Sequence, residues 1–176
     1  MFCLYRCAIL KTIEADRKGG GEVTGVLIAT HYNIGKAILE TADMVIGPQE
    51  QAEAIGIYGD MDPCFFGEEI LNRIESMMAG GCDEVLVLLD LFGGTPCNET
   101  VKLLREHKLQ VLTGLNLPMV LSVLLADRHV VTAAGLLEIG EKSGRKGIIN
   151  VTGRIALMSG SNDCHGDPCR THTGDR

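Results

Sequence analysis

Apolar positions along the chain fall into two kinds of segment. Short continuous runs bounded by glycine, proline or charge read as strands buried on both faces, and longer stretches with apolar residues three and four apart read as helices. The runs at 23–30 and 85–89 are of the first kind, and residues 52–58 and 109–113 read as two more strands. Between them Ile34, Ala37, Ile38, Thr41, Ala42 and Val45 recur at helical spacing until Gly47-Pro48 stops them. A helix over 65–79 buries Phe66, Ile70, Ile74 and Met77 and ends at Gly80-Gly81. The next begins at Thr95-Pro96, read as N-cap and first helical residue, and runs to 106 with Leu103 and Leu104 facing inward. Pro118 opens a short apolar helix to 126, and a last helix over 132–142 ends at Gly144. Residues 147–151 read as an edge strand. Alternating strand and helix predict an α/β fold, a mainly parallel open sheet with helices on both faces.

Composition narrows the class. The chain has 176 residues, of which 45% are hydrophobic and 22% charged, enough for one domain with a proper core. That domain is expected over 23–151, with an extension at 1–22 outside the core and a polar, disordered tail at 152–176. A formal net charge of −7 argues against a nucleic-acid-binding surface. No apolar stretch reaches the ~18–20 residues that span a bilayer. The seven cysteines are odd in number and irregularly spaced, and they read as reduced thiols of a cytoplasmic protein. Cys164, His165, Cys169 and His172 are metal-ligand types without a recognisable tetrahedral pairing, and no metal is expected there. The start of the chain, interrupted by Arg6, makes a poor secretory signal. Residues 18–22 are what a purine-rich ribosome-binding site encodes when translated, with Val23 then a GUG start codon. The mass of the protein from its native source tests that reading.

Two strand ends carry the candidate chemistry. The run 85–89 ends in Asp90 and turns through Gly93-Gly94 into a helix start, while the run 23–30 ends in His31 before another helix. Ligand crevices of open parallel sheets lie beyond the carboxyl ends of the strands. If the two strands are neighbours, the carboxylate fixes the tautomer and orientation of the ring. On pattern alone the alternative stays open that His31 is a packed or capping histidine and Asp90 a loop acid. The glycine pair brings backbone amides close to an anion without a Cβ in the way. There is no nucleotide-binding Gly-x4-Gly-Lys-Ser/Thr loop, kinase signature or Gly-x-Ser-x-Gly elbow.

Residues 29–31 and 41–47, the run from Asp90 to Asn98, and residues 113–119 follow in an order that resembles one known family. It is the IIA domain of the mannose/fructose family of the bacterial phosphoenolpyruvate-dependent sugar phosphotransferase system. The Asp-x-x-Gly-Gly-Thr/Ser-Pro-x-Asn motif carries most of the specificity, and residues 23–151 carry the match. Phe92 stands where the family often has tryptophan, and Cys97 where phenylalanine is common.

The resemblance implies a phosphoryl carrier. His31 matches the phosphorylated histidine and Asp90 its supporting carboxylate; the expectation is that Nε2 carries the phosphoryl group while Nδ1–H faces Asp90. Thr30, Gly93, Gly94 and Thr95 are expected to hold that group, and Met44 and Phe92 to line the pocket. It also implies the strand order 2-1-3-4 and a fifth, antiparallel strand, here 147–151, exchanged between the subunits of a homodimer. The implied partners are the phosphocarrier HPr, a IIB domain and, through them, a membrane IIC/IID pair; no cofactor is expected. The alternative is a regulatory module of the same fold that signals sugar supply without transport. A subclass serving dihydroxyacetone ranks lower, because its loop lacks the Gly-Gly-Thr-Pro pattern.

Overall fold

The computed structural model describes residues 23–160. The extension at 1–22 and the Cys164–His172 region of the tail lie outside the described residues.

Four parallel strands form one sheet in the order β2-β1-β3-β4: β1 Thr24–His31, β2 Ala52–Ile57, β3 Glu84–Leu89 and β4 Leu109–Thr113. Helices α1 Ile34–Ile46, α2 Pro63–Ala79, α3 Thr95–Leu103, α4 Leu117–Leu125, α5 Ala133–Lys146 and α6 Val151–Gly160 connect and follow them. The central strands are buried except at Glu84, which begins β3, and His31, which ends β1, as their continuous apolar runs require.

Because side chains alternate across a strand, each central strand feeds two cores. Leu27, Ala29, Val85, Val87 and Leu89 pack against Phe66, Ile70, Ile74 and Met77 of α2 and Cys97 of α3. Val26, Ile28, Leu86 and Leu88 meet Ala42 of α1, Met119, Val120, Val123 and Leu124 of α4, and Leu136 of α5. Each fully buried Leu or Ile contributes about 1.5–3 kcal/mol, so this two-sided packing orders the sheet.

Several boundaries differ from expectation, each for a local reason. α2 starts at Pro63, because the Asp62 carboxylate caps it by accepting from the Cys64 and Phe65 amides. α3 stops at Leu103, which packs against the core, and leaves Leu104 exposed, contrary to the inward reading of both leucines. α5 runs through Gly144 to Lys146. Gly144 is a packing glycine and no helix stop: a Cβ there would lie 2.9 Å from Met119 Cε and 3.1 Å from Asn116 Nδ2.

The expected edge strand at 147–151 is absent. Residues 147–150 are irregular, and α6 begins at Val151 behind Asn150, whose side chain accepts from the Gly153 amide at 2.9 Å. An exchanged strand draws its hydrogen bonds from a partner's sheet edge; in a single chain the local cap satisfies the backbone instead. The tail expected to lack order from 152 is accordingly helical to Gly160.

Candidate functional site

The chain leaves β1 for β2 on one side of it and returns through β3 on the other, so the reversal of strand order falls between β1 and β3. Their carboxyl ends open the crevice. His31 is the last residue of β1, and Asp90 follows the last residue of β3.

The two side chains meet. His31 Nδ1 lies 2.9 Å from Asp90 Oδ2. The same oxygen accepts from the His31 backbone N–H at 2.9 Å, and Oδ1 accepts from the Leu91 N–H at 2.8 Å. An ionised carboxylate offers only acceptors, so the proton shared with it belongs to Nδ1, and in the neutral ring Nε2 keeps its lone pair. The His31 side chain is 37% exposed and that of Asp90 15%, so the acid lies beneath a ring that reaches solvent. Burial pushes the Asp90 carboxyl up. The amide and ring of His31, its charge when protonated and the Leu91 amide outweigh that push and hold the carboxyl below its ordinary value.

Gly94 fits against the ring. A Cβ at this position would lie 2.6 Å from His31 Cε1 and 3.3 Å from Nε2. Gly93 has φ +77, a left-handed conformation that a side chain would strain, although a Cβ there would meet nothing within 4 Å. So the two glycines are needed for different reasons, the first for backbone conformation and the second for space. The N-cap of α3 is Gly94, with no side-chain cap bond, so Thr95 is the first helical residue rather than the expected cap. The first-turn amides of α3 have no intrahelical acceptor and carry the positive end of the helix dipole.

The other expected site residues lie elsewhere. Thr30 is fully buried, on the strand face opposite His31, where its hydroxyl accepts from the Gly35 amide at 2.9 Å and ties down the start of α1. Met44 is 81% exposed in the last turn of α1, roughly 15 Å along the helix from its start. Phe92 extends into solvent from the loop between Asp90 and Gly93.

Three contributors had gone unassigned. Tyr32 adopts φ 51, its N–H donates to Ile57 O at 2.8 Å, and its ring meets Tyr58 edge-on at 5.6 Å. Gly56 makes that exit from β1 possible, since a Cβ would sit 1.8 Å from Tyr32 O. A glycine inside a strand pattern is the available sequence signal for such an approach. The third is Asn98, whose Nδ2 donates to Gly93 O at 3.0 Å.

Fold and crevice define an open parallel α/β domain with a hydrogen-bonded histidine and aspartate at its switch point. The chain belongs to the family described as the PTS system fructose IIA component (EIIA-man), whose family model matches residues 25–139. It is 28% identical over 127 residues to the PTS system mannose-specific EIIAB component of Escherichia coli (strain K12), covering 70% of this chain and 38% of that protein. The chain thus spans well under half the length of that relative. Against the PTS system fructose-specific EIIA component of Bacillus subtilis (strain 168) it is 32% identical over 111 residues, 60% of this chain and 71% of that one. The fold is shared with the PTS IIA protein associated with the fucose utilization operon from Streptococcus pneumoniae. The TM-score is 0.67 at 24% identity, over 77% of this chain and 98% of that one. No helix among the described residues is long and apolar enough to cross a membrane.

Proposed function

We propose that the chain is a phosphoryl carrier that accepts phosphate from the phosphohistidine of HPr on His31 Nε2 and passes it to a histidine of a IIB domain during sugar uptake. In the first transfer the P–N bond to the donor ring breaks, the donor nitrogen keeps the electron pair, and the Nε2 lone pair forms the new P–N bond. The positive charge that grows on His31 is balanced by Asp90, which holds Nδ1–H throughout. The charge spread over the phosphoryl oxygens is met by neutral donors: the Gly94 and Thr95 amides, the Thr95 hydroxyl and the N-terminus of α3. Neutral donors suit a carrier, because a lysine clamp would retain the cargo.

One observation carries this reading: the 2.9 Å contact between His31 Nδ1 and Asp90, which leaves Nε2 as the ring's nucleophilic atom. The experiment is incubation with phosphoenolpyruvate, enzyme I and HPr, followed by intact mass measurement. An acid-labile 80 Da adduct, the mass of one PO3 group, is expected on the wild type and not on His31→Ala. An unmodified wild type, or a modified His31→Ala, refutes the assignment.

The working form is a homodimer. Support comes from the exposed apolar side chains of Ile148, Ile149, Val151, Ile155 and Leu157, which follow one another closely after α5. Sedimentation equilibrium is expected to give twice the chain mass, and a chain ending at Lys146 to give one.

A further inference from the structure

We infer that Asn98 is a positioning residue for phosphoryl transfer, acting on His31 through the Gly93–Gly94 peptide. This rests on the phosphocarrier reading above. Asn98 is exposed and touches neither His31 nor Asp90 through any described hydrogen bond. Its two bonds go instead to consecutive carbonyls of the loop. Nδ2 donates to Gly93 O at 3.0 Å, and its backbone N–H donates to Gly94 O at 2.9 Å.

A peptide group is planar, so holding the Gly93 carbonyl also fixes the direction of the Gly94 N–H and the position of the Gly94 Cα. That Cα is the atom against which the ring rests, to the extent that a Cβ would collide with Cε1 at 2.6 Å. The N–H edge of the same peptide is held more loosely. The Gly94 N–H reaches Leu91 O only at 3.4 Å, and glycine at both 93 and 94 leaves the intervening peptide free of side-chain barriers to rotation. Released from Asn98, this peptide can rotate and turn its carbonyl oxygen toward the space the phosphoryl oxygens occupy. Two acceptors would then face each other, and an amide donor would be lost.

Water would satisfy an exposed carbonyl as well as a carboxamide does, so the bond has little to add to the fold. Its effect is on orientation, where small displacements of a positioning group are costly to rate. The side chain of Asn98 suits the task because its NH2 is a donor that carries no charge to retain or repel the phosphoryl group.

The test is a double-mutant cycle on the full chain with phospho-HPr as donor. Asn98→Ala is expected to lower kcat about tenfold with KM for HPr within about twofold of wild type. Gly93→Ala disturbs the same peptide from its other side, so the double variant is expected to be no slower than the worse single one. A wild-type kcat for Asn98→Ala, or losses that multiply in the double variant, overturns the inference. A second readout needs no phosphate: in Asn98→Ala the His31 Cε1–H resonance is expected to move while the ring nitrogens keep their tautomer pattern. An unmoved resonance counts against Asn98, whereas an unphosphorylated wild type counts against the carrier reading alone.

Discussion

The imidazole of His31 and the backbone of Gly94 are packed so closely that hydrogen is the largest side chain the position admits: a Cβ would stand 2.6 Å from Cε1. Gly94 has φ −71 and ψ 169, which alanine adopts without strain, so the restriction comes entirely from the ring. Gly94→Ala is therefore expected to fold with near-normal stability and to displace the imidazole from Asp90. Labelling from phospho-HPr should fall at least about tenfold; labelling at the normal rate would show that the ring's seat is unimportant.

Asp90 links the site to pH. Its carboxyl is raised by burial but lowered further by its three donors and the charge of protonated His31, so the folded value lies below the unfolded one. The stability it contributes is fully present above the ordinary aspartate range of about 4 and is lost as pH falls through the folded value. In urea unfolding, wild type is expected to exceed Asp90→Asn at pH 7, with the gap closing below about pH 4. The same variant should transfer at least about tenfold more slowly, since its amide no longer enforces Nδ1–H.

The turn after His31 gives opposite expectations for two neighbours. Tyr32→Gly removes a left-handed cost of about 1–2 kcal/mol and a ring contact of about 0.5–1.5 kcal/mol. Its thermal midpoint should therefore stay close to that of wild type. Gly56→Ala has no such compensation, because its Cβ would lie 1.8 Å from the Tyr32 carbonyl oxygen. It should unfold well before wild type in thermal denaturation.

The core and surface leucines and isoleucines of the helices can be separated by substitution. Ile70 is fully buried, and Ile70→Ala should cost about 2–5 kcal/mol in chemical denaturation. Leu104, in the turn that follows α3, is 41% exposed. Leu104→Ala should stay within about 0.5 kcal/mol of wild type.

Much of this was legible in the chain because the strands are buried on both faces and announce themselves as apolar runs. The order 2-1-3-4 comes from the family resemblance and not from the pattern; it is the observed one, and it brings His31 beside Asp90. What was not legible depends on neighbours that periodicity does not encode. Gly144 reads as a stop until Met119 is seen beside it, and Leu104 reads as core until α3 ends one residue earlier. Thr30 adjoins His31 in sequence but points to the other side of the sheet, and Met44 is carried off by the length of α1. The segment 147–151 reads as an edge strand from its pattern, and the resemblance makes it an exchanged one; in one chain it is irregular up to the start of α6 at Val151. Asn98 sat in the motif in plain view, yet only the direction of its carboxamide gives it a task.

The alternation that buries Thr30 and presents His31 makes β1 intolerant of any change in length. Adding or deleting one residue between Thr24 and His31 would exchange the two faces. The hydroxyl would then look out on the crevice while the imidazole was pressed beneath α1, silencing the site without altering a single one of its residues.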